Sequence, residues 1–225
     1  MNKVSAIILA AGSGTRFGEK KQFKDLNGKP IWAYSLNTFV QSKYVSEVIL
    51  VISQDFLSEV QSSKTVKVFS NQIPIKIIAG GESRKKSVLN GLSSVKDKHN
   101  LVCIHDAARP FVRLSHIKKT IEACTDFDSS ILAVPVTDTI KKVENGIVKK
   151  TIDRDFIWMA QTPQTFWKEK LLKAFKLFPR SNITDESMVM ELAGFSTKII
   201  EGDPSNLKIT LALDWELVKL IEGKI

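Results

Sequence analysis

Apolar runs of strand length recur along the chain, and each empties into a loop of glycines or charged residues. They occupy residues 4–11, 47–53, 75–79, 101–105 and 130–136. The runs are continuous in valine, isoleucine and leucine rather than alternating, which suits strands buried on both faces. Between them, residues 31–42, 55–62, 82–95 and 115–125 place apolar side chains at three- and four-residue steps, the helical spacing. Strand, helix, strand in repetition predicts an α/β chain: a mostly parallel twisted sheet flanked by helices. Such a sheet binds ligands at the carboxyl ends of its strands.

After residue 136 the pattern changes. Residues 137–152 hold short β-branched and lysine-rich segments around Asn145-Gly146, a tight-hairpin dipeptide, and read as an arm projecting from the sheet. Helices are expected again at 167–178 and at 185–193, the latter ended by Gly194, then a strand at 197–201 and a last helix over 213–222. No serine- or glycine-rich linker and no repeat divides the sequence, so residues 1–225 are assigned to one domain carrying the 137–152 arm.

No apolar run approaches the roughly 20 residues of a membrane span. Met1-Asn2-Lys3 leads into strand pattern without a cleavage site, so a signal peptide is not expected and a cytoplasmic location is. Cys103 and Cys124 fit neither a disulfide framework nor metal-ligand spacing and read as packed thiols. Lysine and arginine outnumber acids, 33 against 24, for a net charge of +9. That excess predicts attraction to polyanions, whether nucleic acid or phosphorylated metabolites. Many lysines (Lys96, Lys118, Lys119, Lys149, Lys150) lie in polar stretches, and no basic stripe with interleaved aromatics marks an RNA-binding face.

The informative residues fall in three loops. The first, Ala10-Ala11-Gly12-Ser13-Gly14-Thr15-Arg16-Phe17-Gly18, follows the first strand, and its small residues let backbone N–H groups approach phosphate oxygens. Its G-x-G-x-x-x-G spacing misses the dinucleotide fingerprint by one residue and lacks the P-loop ending. Arg16 and Lys21 would flank whatever the glycines cradle. In the second loop, Gly80-Gly81-Glu82-Ser83-Arg84-Lys85-Lys86-Ser87, paired glycines allow backbone contacts to a base. In the third, His105-Asp106-Ala107-Ala108-Arg109-Pro110-Phe111, opposite charges sit at the predicted ligand crevice. A buried Asp106–Arg109 ion pair is the plainer reading of that last pattern, and a structural histidine the plainer reading of His105.

Together these loops resemble the cytidylyltransferases that make 4-diphosphocytidyl-2-C-methyl-D-erythritol in non-mevalonate isoprenoid synthesis. The resemblance continues through Pro135-Val136-Thr137-Asp138-Thr139-Ile140-Lys141, Arg154, Trp158-Met159-Ala160-Gln161-Thr162-Pro163-Gln164, Thr184-Asp185-Glu186 and Asn206-Leu207-Lys208-Ile209-Thr210. Thr210-Leu211-Ala212-Leu213-Asp214 departs from the family's Thr-x-Pro-x-Asp, which bears on the start of the last helix.

The resemblance implies a single Rossmann-like nucleotide-diphosphate-sugar-transferase-type domain, generally a homodimer. Its members move the cytidylyl group of CTP onto a sugar-alcohol phosphate and release pyrophosphate. It assigns Arg16, Lys21, Arg154 and Lys208 to catalysis. CTP would meet Ala10, Ala11, Gly12, Ser13, Gly14, Gly80, Gly81, Ser87, Asp106 and Ala107, with Mg2+ held largely by its phosphates. Asp106 is the one acid considered as a metal ligand. The acceptor would meet Arg109, Thr139, Arg154, Thr162, Thr184 and Lys208, with Thr139 and Arg154 supplied across the dimer by the arm. Ribitol-5-phosphate cytidylyltransferases share several of these motifs and are the nearest alternative. A basic RNA-binding protein rests only on the charge. A nicotinamide-dependent oxidoreductase rests only on Gly12-x-Gly14, and lacks the acid that would close the second strand.

Overall fold

The computed structural model describes residues 3–14, 17–96, 99–179 and 182–223. Its elements follow in order β1 (Val4–Ala10), a short pair β2 (Asp25–Leu26) and β3 (Lys29–Pro30), α1 (Ile31–Gln41), β4 (Val45–Ile52), α2 (Leu57–Ser62), α3 (Lys64–Ser70), β5 (Ile75–Ala79), α4 (Arg84–Ser94), β6 (Leu101–Asp106), α5 (Leu114–Ala123) and β7 (Ser129–Pro135). Then come β8 (Ile140–Glu144), β9 (Ile147–Ile152), β10 (Trp158–Trp167), α6 (Lys168–Leu177), α7 (Glu186–Leu192), β11 (Thr197–Glu201) and α8 (Ala212–Glu222).

The central sheet has strand order β11-β7-β10-β6-β1-β4-β5 and is parallel except for β10. Double-sided burial explains the continuous apolar runs. Ala6 and Ile8 of β1 join Leu36 and Phe39 of α1 and Ile117 of α5 on one face. On the other face, Ile7 joins Val88 and Leu92 of α4, Leu171 of α6 and Val189 of α7. Successive strand residues point to opposite faces, so neither face can be polar without opening a core.

β10 is the element the sequence pattern did not announce. Pro163 cannot donate to a ladder and argues against a central strand. The structure accommodates it with a register break between Ala160 and Gln164, so Gln161, Thr162 and Pro163 leave the pairing with β7 and are placed at the sheet's carboxyl edge. α3 was also unannounced; Ser63 starts it by accepting from the Val66 N–H.

The remaining turn signals act as their chemistry requires. Asn145 (φ 52°) and Gly146 (φ 77°) make the β8–β9 turn, and Gly194 (φ 76°) follows α7. β8 and β9 pair only with each other and are exposed along most of their length. At the departure from the family motif, Asp214 accepts from the N–H groups of Thr210 and Leu211 and fixes the entry to α8. Both cysteines are buried and free. No helix among the described residues is long and apolar enough to cross a membrane.

Candidate active site

The carboxyl ends of β1, β5 and β6 deliver the three loops to one place, as the topology requires. Arg16 lies outside the described residues. The first loop turns at Gly14, whose φ of +73° suits glycine and whose missing Cβ would lie 1.9 Å from Glu19 O. Beneath it Gln22 is buried, its Nε2 donating to Ala10 O at 2.9 Å and Gly12 O at 2.5 Å. That carboxamide turns two carbonyls inward and anchors the short 3-10 turn Lys21–Phe23 that carries Lys21.

The second loop is shaped by Ser87. Its hydroxyl accepts from Gly81 N–H and donates to Ser83 O, both at 3.0 Å. Ser83 caps α4 by accepting from Lys86 N–H. A Cβ on Gly80 would lie 2.3 Å from Ala11 Cβ, so the two glycine loops meet only because Gly80 has none.

The third loop carries the charge. Asp106 Oδ2 accepts from Lys208 Nζ at 2.6 Å, and its Oδ1 accepts from Arg84 Nη2 at 3.3 Å. Arg84 Nη1 donates at 2.5 Å to Glu186, which is fully buried at the start of α7. Burial by itself would raise the Asp106 carboxyl, but Arg84 and then Lys208 outweigh it and hold the group well below the usual carboxylate range. The plain alternative for this loop, a direct Asp106–Arg109 ion pair, is not the arrangement found. The Arg109 guanidinium donates instead to Asn206 O at 2.7 Å and Ala160 O at 3.4 Å.

Two cavities open against this charged cluster. The larger, about 460 Å³, is lined by Ala11, Gly12, Ser13, Gly14, Lys21, Gln22, Gly81, Ser83 and Ser87 among others. The smaller, about 230 Å³, is lined by Arg109, Ala160, Gln161, Thr162, Gln164, Thr184 and Asp185. Arg84, Asp106 and Lys208 line both, so the ionic cluster is their common wall.

Of the sequence-predicted residues, Ala10, Gly80 and Ala107 line neither cavity: Ala10 and Ala107 are buried, Ala10 O accepts from Gln22, and Gly80 packs against Ala11. Thr139 and Arg154 stand apart: both are exposed near the arm, where Arg154 donates to Thr137 O. Arg84, Gln22 and Glu186 were not among the predicted site residues. Arg84 was the most findable of them, since it opens the helix that follows paired glycines.

A profile of the 2-C-methyl-D-erythritol 4-phosphate cytidylyltransferase family, IspD, matches residues 4–223. The Caldanaerobacter subterraneus protein of that name is 38% identical, covering 98% of this chain and 99% of its own. Among solved structures, 4-diphosphocytidyl-2C-methyl-D-erythritol synthase from Anaerococcus prevotii superposes with a TM-score of 0.88 at 29% identity, over 99% of this chain and 96% of that one. The Francisella tularensis 2-C-methyl-D-erythritol 4-phosphate cytidylyltransferase superposes with a TM-score of 0.81 at 34% identity, over 98% and 99% of the two chains.

Proposed function

The chain belongs to the 2-C-methyl-D-erythritol 4-phosphate cytidylyltransferase family, and from that premise we propose how its two cavities divide the work. The family's reaction joins CTP and 2-C-methyl-D-erythritol 4-phosphate to give 4-diphosphocytidyl-2-C-methyl-D-erythritol and pyrophosphate, a step of isoprenoid-precursor synthesis. The larger cavity holds CTP and the smaller one the acceptor. The observation that carries this division is the shared wall of Arg84, Asp106 and Lys208, where both cavities meet the same two cations.

A phosphate monoester is largely ionised at neutral pH. It needs no general base, and the obstacle is repulsion between anions and charge growing in the transition state. An acceptor phosphate oxygen attacks the α-phosphorus in line, the new P–O bond forms, and the bond to the bridging oxygen breaks to release pyrophosphate. Lys21 and Arg16 stabilise charge on the triphosphate, which the backbone of residues 12–14 cradles. Lys208 and Arg154 place the acceptor phosphate, with Arg109, Thr162, Thr184 and Thr139 around the polyol. The base and ribose lie by Ala10, Ala11, Gly80, Gly81 and Ser87. The narrow Gly80-Gly81 passage excludes purines by size.

A divalent cation such as Mg2+ would arrive on the CTP phosphates and be held largely by them. Among the described residues no group of three His, Cys, Asp or Glu side chains forms a cage, and Asp106 is already held by two cations. When bound, the ion supplies charge neutralisation between phosphate oxygens. Buried free thiols suit a reducing compartment, which supports a cytoplasmic setting.

Pyrophosphate release with CTP and Mg2+, offering 2-C-methyl-D-erythritol 4-phosphate and ribitol 5-phosphate separately, tests the assignment. The expected result is strong preference for the former; equal or better use of ribitol 5-phosphate would reassign the acceptor cavity.

The arm supplies the second part of the proposal. Val143, Ile147, Val148 and Met159 are more than half exposed and Phe156 is 84% exposed, an apolar surface suited to burial against a second copy of the chain. A homodimer with exchanged arms would carry Thr139 and Arg154 into the neighbouring site. Light scattering is expected to give twice the 25.2 kDa chain mass, and one chain mass with full activity would refute the exchange.

A further inference from the structure

His105 ends up beneath the smaller cavity, fully buried near the carboxyl end of β6, its ring centroid 5.3 Å from that of Phe39. Its Nε2 lies 3.0 Å from Arg109 O, and since a carbonyl only accepts, Nε2 carries the proton. Nδ1, 3.0 Å from Thr162 Oγ1, therefore accepts from the threonine hydroxyl. The same Oγ1 accepts from the Asp106 N–H, also at 3.0 Å. Burial pushes the ring down to about 4, so it stays neutral near neutral pH and these directions do not reverse.

We infer that His105 is a positioning residue for the acceptor site, and that the Thr162 hydroxyl commits its one hydrogen to His105 and so does not donate to substrate. The inference rests on reading the smaller cavity as the acceptor's. One imidazole then ties together the Arg109 carbonyl, the β10 loop at Thr162 and, through Thr162, the Asp106 backbone. The other ends are held as well: the Arg109 guanidinium by Asn206 O and Ala160 O, the Thr162 carbonyl by Asn206 Nδ2 at 2.9 Å. Thr162 lines the cavity with a lone pair to offer, which suits an acceptor hydroxyl that donates.

Ring-nitrogen NMR of the full-length chain reads the first half directly, with the His105 signals assigned by their loss in His105→Gln. An Nε2–H ring with bare Nδ1 at neutral pH is expected. An Nδ1–H or doubly protonated ring would free the Thr162 hydrogen and overturn the relay. Kinetics read the second half. A displacement of ångström scale in a positioning group costs up to about a hundredfold. His105→Gln, which never meets the cavity, is therefore expected to raise the acceptor KM at least about tenfold with the CTP KM within about threefold.

Thr162→Val should do the same and displace the His105 ring signals, while Thr162→Ser restores both. An unchanged acceptor KM in His105→Gln would refute the positioning role. A rise in the CTP KM alone, with the Nε2–H ring observed, would overturn the assignment of the cavity to the acceptor and the positioning role with it, leaving the hydrogen-bond relay intact.

Discussion

Each end of the mostly parallel sheet buries a carboxylate beside a histidine, and among the described residues only one of these two clusters lines a cavity. At the carboxyl ends, Asp106 faces Lys208 and Arg84, whose side chains also line two cavities. At the amino ends, Glu47 of β4 is fully buried and accepts from Ser5 of β1 at 2.7 Å and from Lys96 N–H at 3.0 Å. His99 Nδ1 lies 2.6 Å from Ser5 Oγ and 3.1 Å from Glu47. Serine, histidine and glutamate together suggest a hydrolase. Yet the serine hydrogen goes to the carboxylate, the histidine donates to the serine, and none of the three lines either cavity. What separates the two clusters is the kind of partner. Asp106 is held by long cationic side chains that also line both cavities, whereas the groups around Glu47, which are Ser5, His99, the Lys96 N–H and, at 3.8 Å, the Lys96 ammonium, line neither.

If this contrast is right, the two ends fail differently. Removing one preorganised charge from the wall costs on the order of 3 kcal/mol of transition-state stabilisation, about a hundredfold in rate. Lys208→Ala is therefore expected to lower turnover at saturating substrates by about a hundredfold. Lys21→Ala should behave alike from the other side of the larger cavity. Both variants should stay folded by circular dichroism. Wild-type turnover in either would remove that lysine from the mechanism; a collapse of stability without loss of specific activity would make the wall a structural cluster like that of Glu47.

The same contrast explains which residues could be read from the sequence. Glycine loops at strand ends are legible because phosphate access and close loop packing both demand missing side chains, as at Gly14 and Gly80. Continuous apolar runs are legible because both sheet faces are covered. Arg84 is only half legible: it opens the helix after paired glycines, but Arg84-Lys85-Lys86 gives three successive cations, and it is partners 22 and 102 positions away that single out the first. Glu47 and Glu186 are hidden for a related reason: acids are seldom fully buried unless paired, and their pairing is made by the fold. β10 was masked by Pro163, whose exclusion from the ladder is what sends Thr162 toward His105.

The amino end supplies the smaller effect. Glu47→Gln keeps the size of the side chain but removes the charge that Ser5, His99 and both the N–H and the ammonium of Lys96 address. Hydrogen bonds to a buried charged group are worth about 2 kcal/mol, or a midpoint lower by about 6 °C in a chain of this size. Turnover should be unchanged, because none of these groups reaches the wall. The effect also has a pH signature. Burial raises the Glu47 carboxyl, but the Lys96 amide and Ser5, with His99 behind them, lower it further, so the folded value is depressed. A depressed acid contributes stability in full above its unfolded value, about 4.3, and loses it as pH falls toward the folded value. The melting difference between wild type and Glu47→Gln should accordingly shrink as pH falls below about 4. A difference that persists undiminished in acid would mean that packing, rather than the ionised carboxylate, holds this end of the sheet, and the parallel between the two buried acids would fail there.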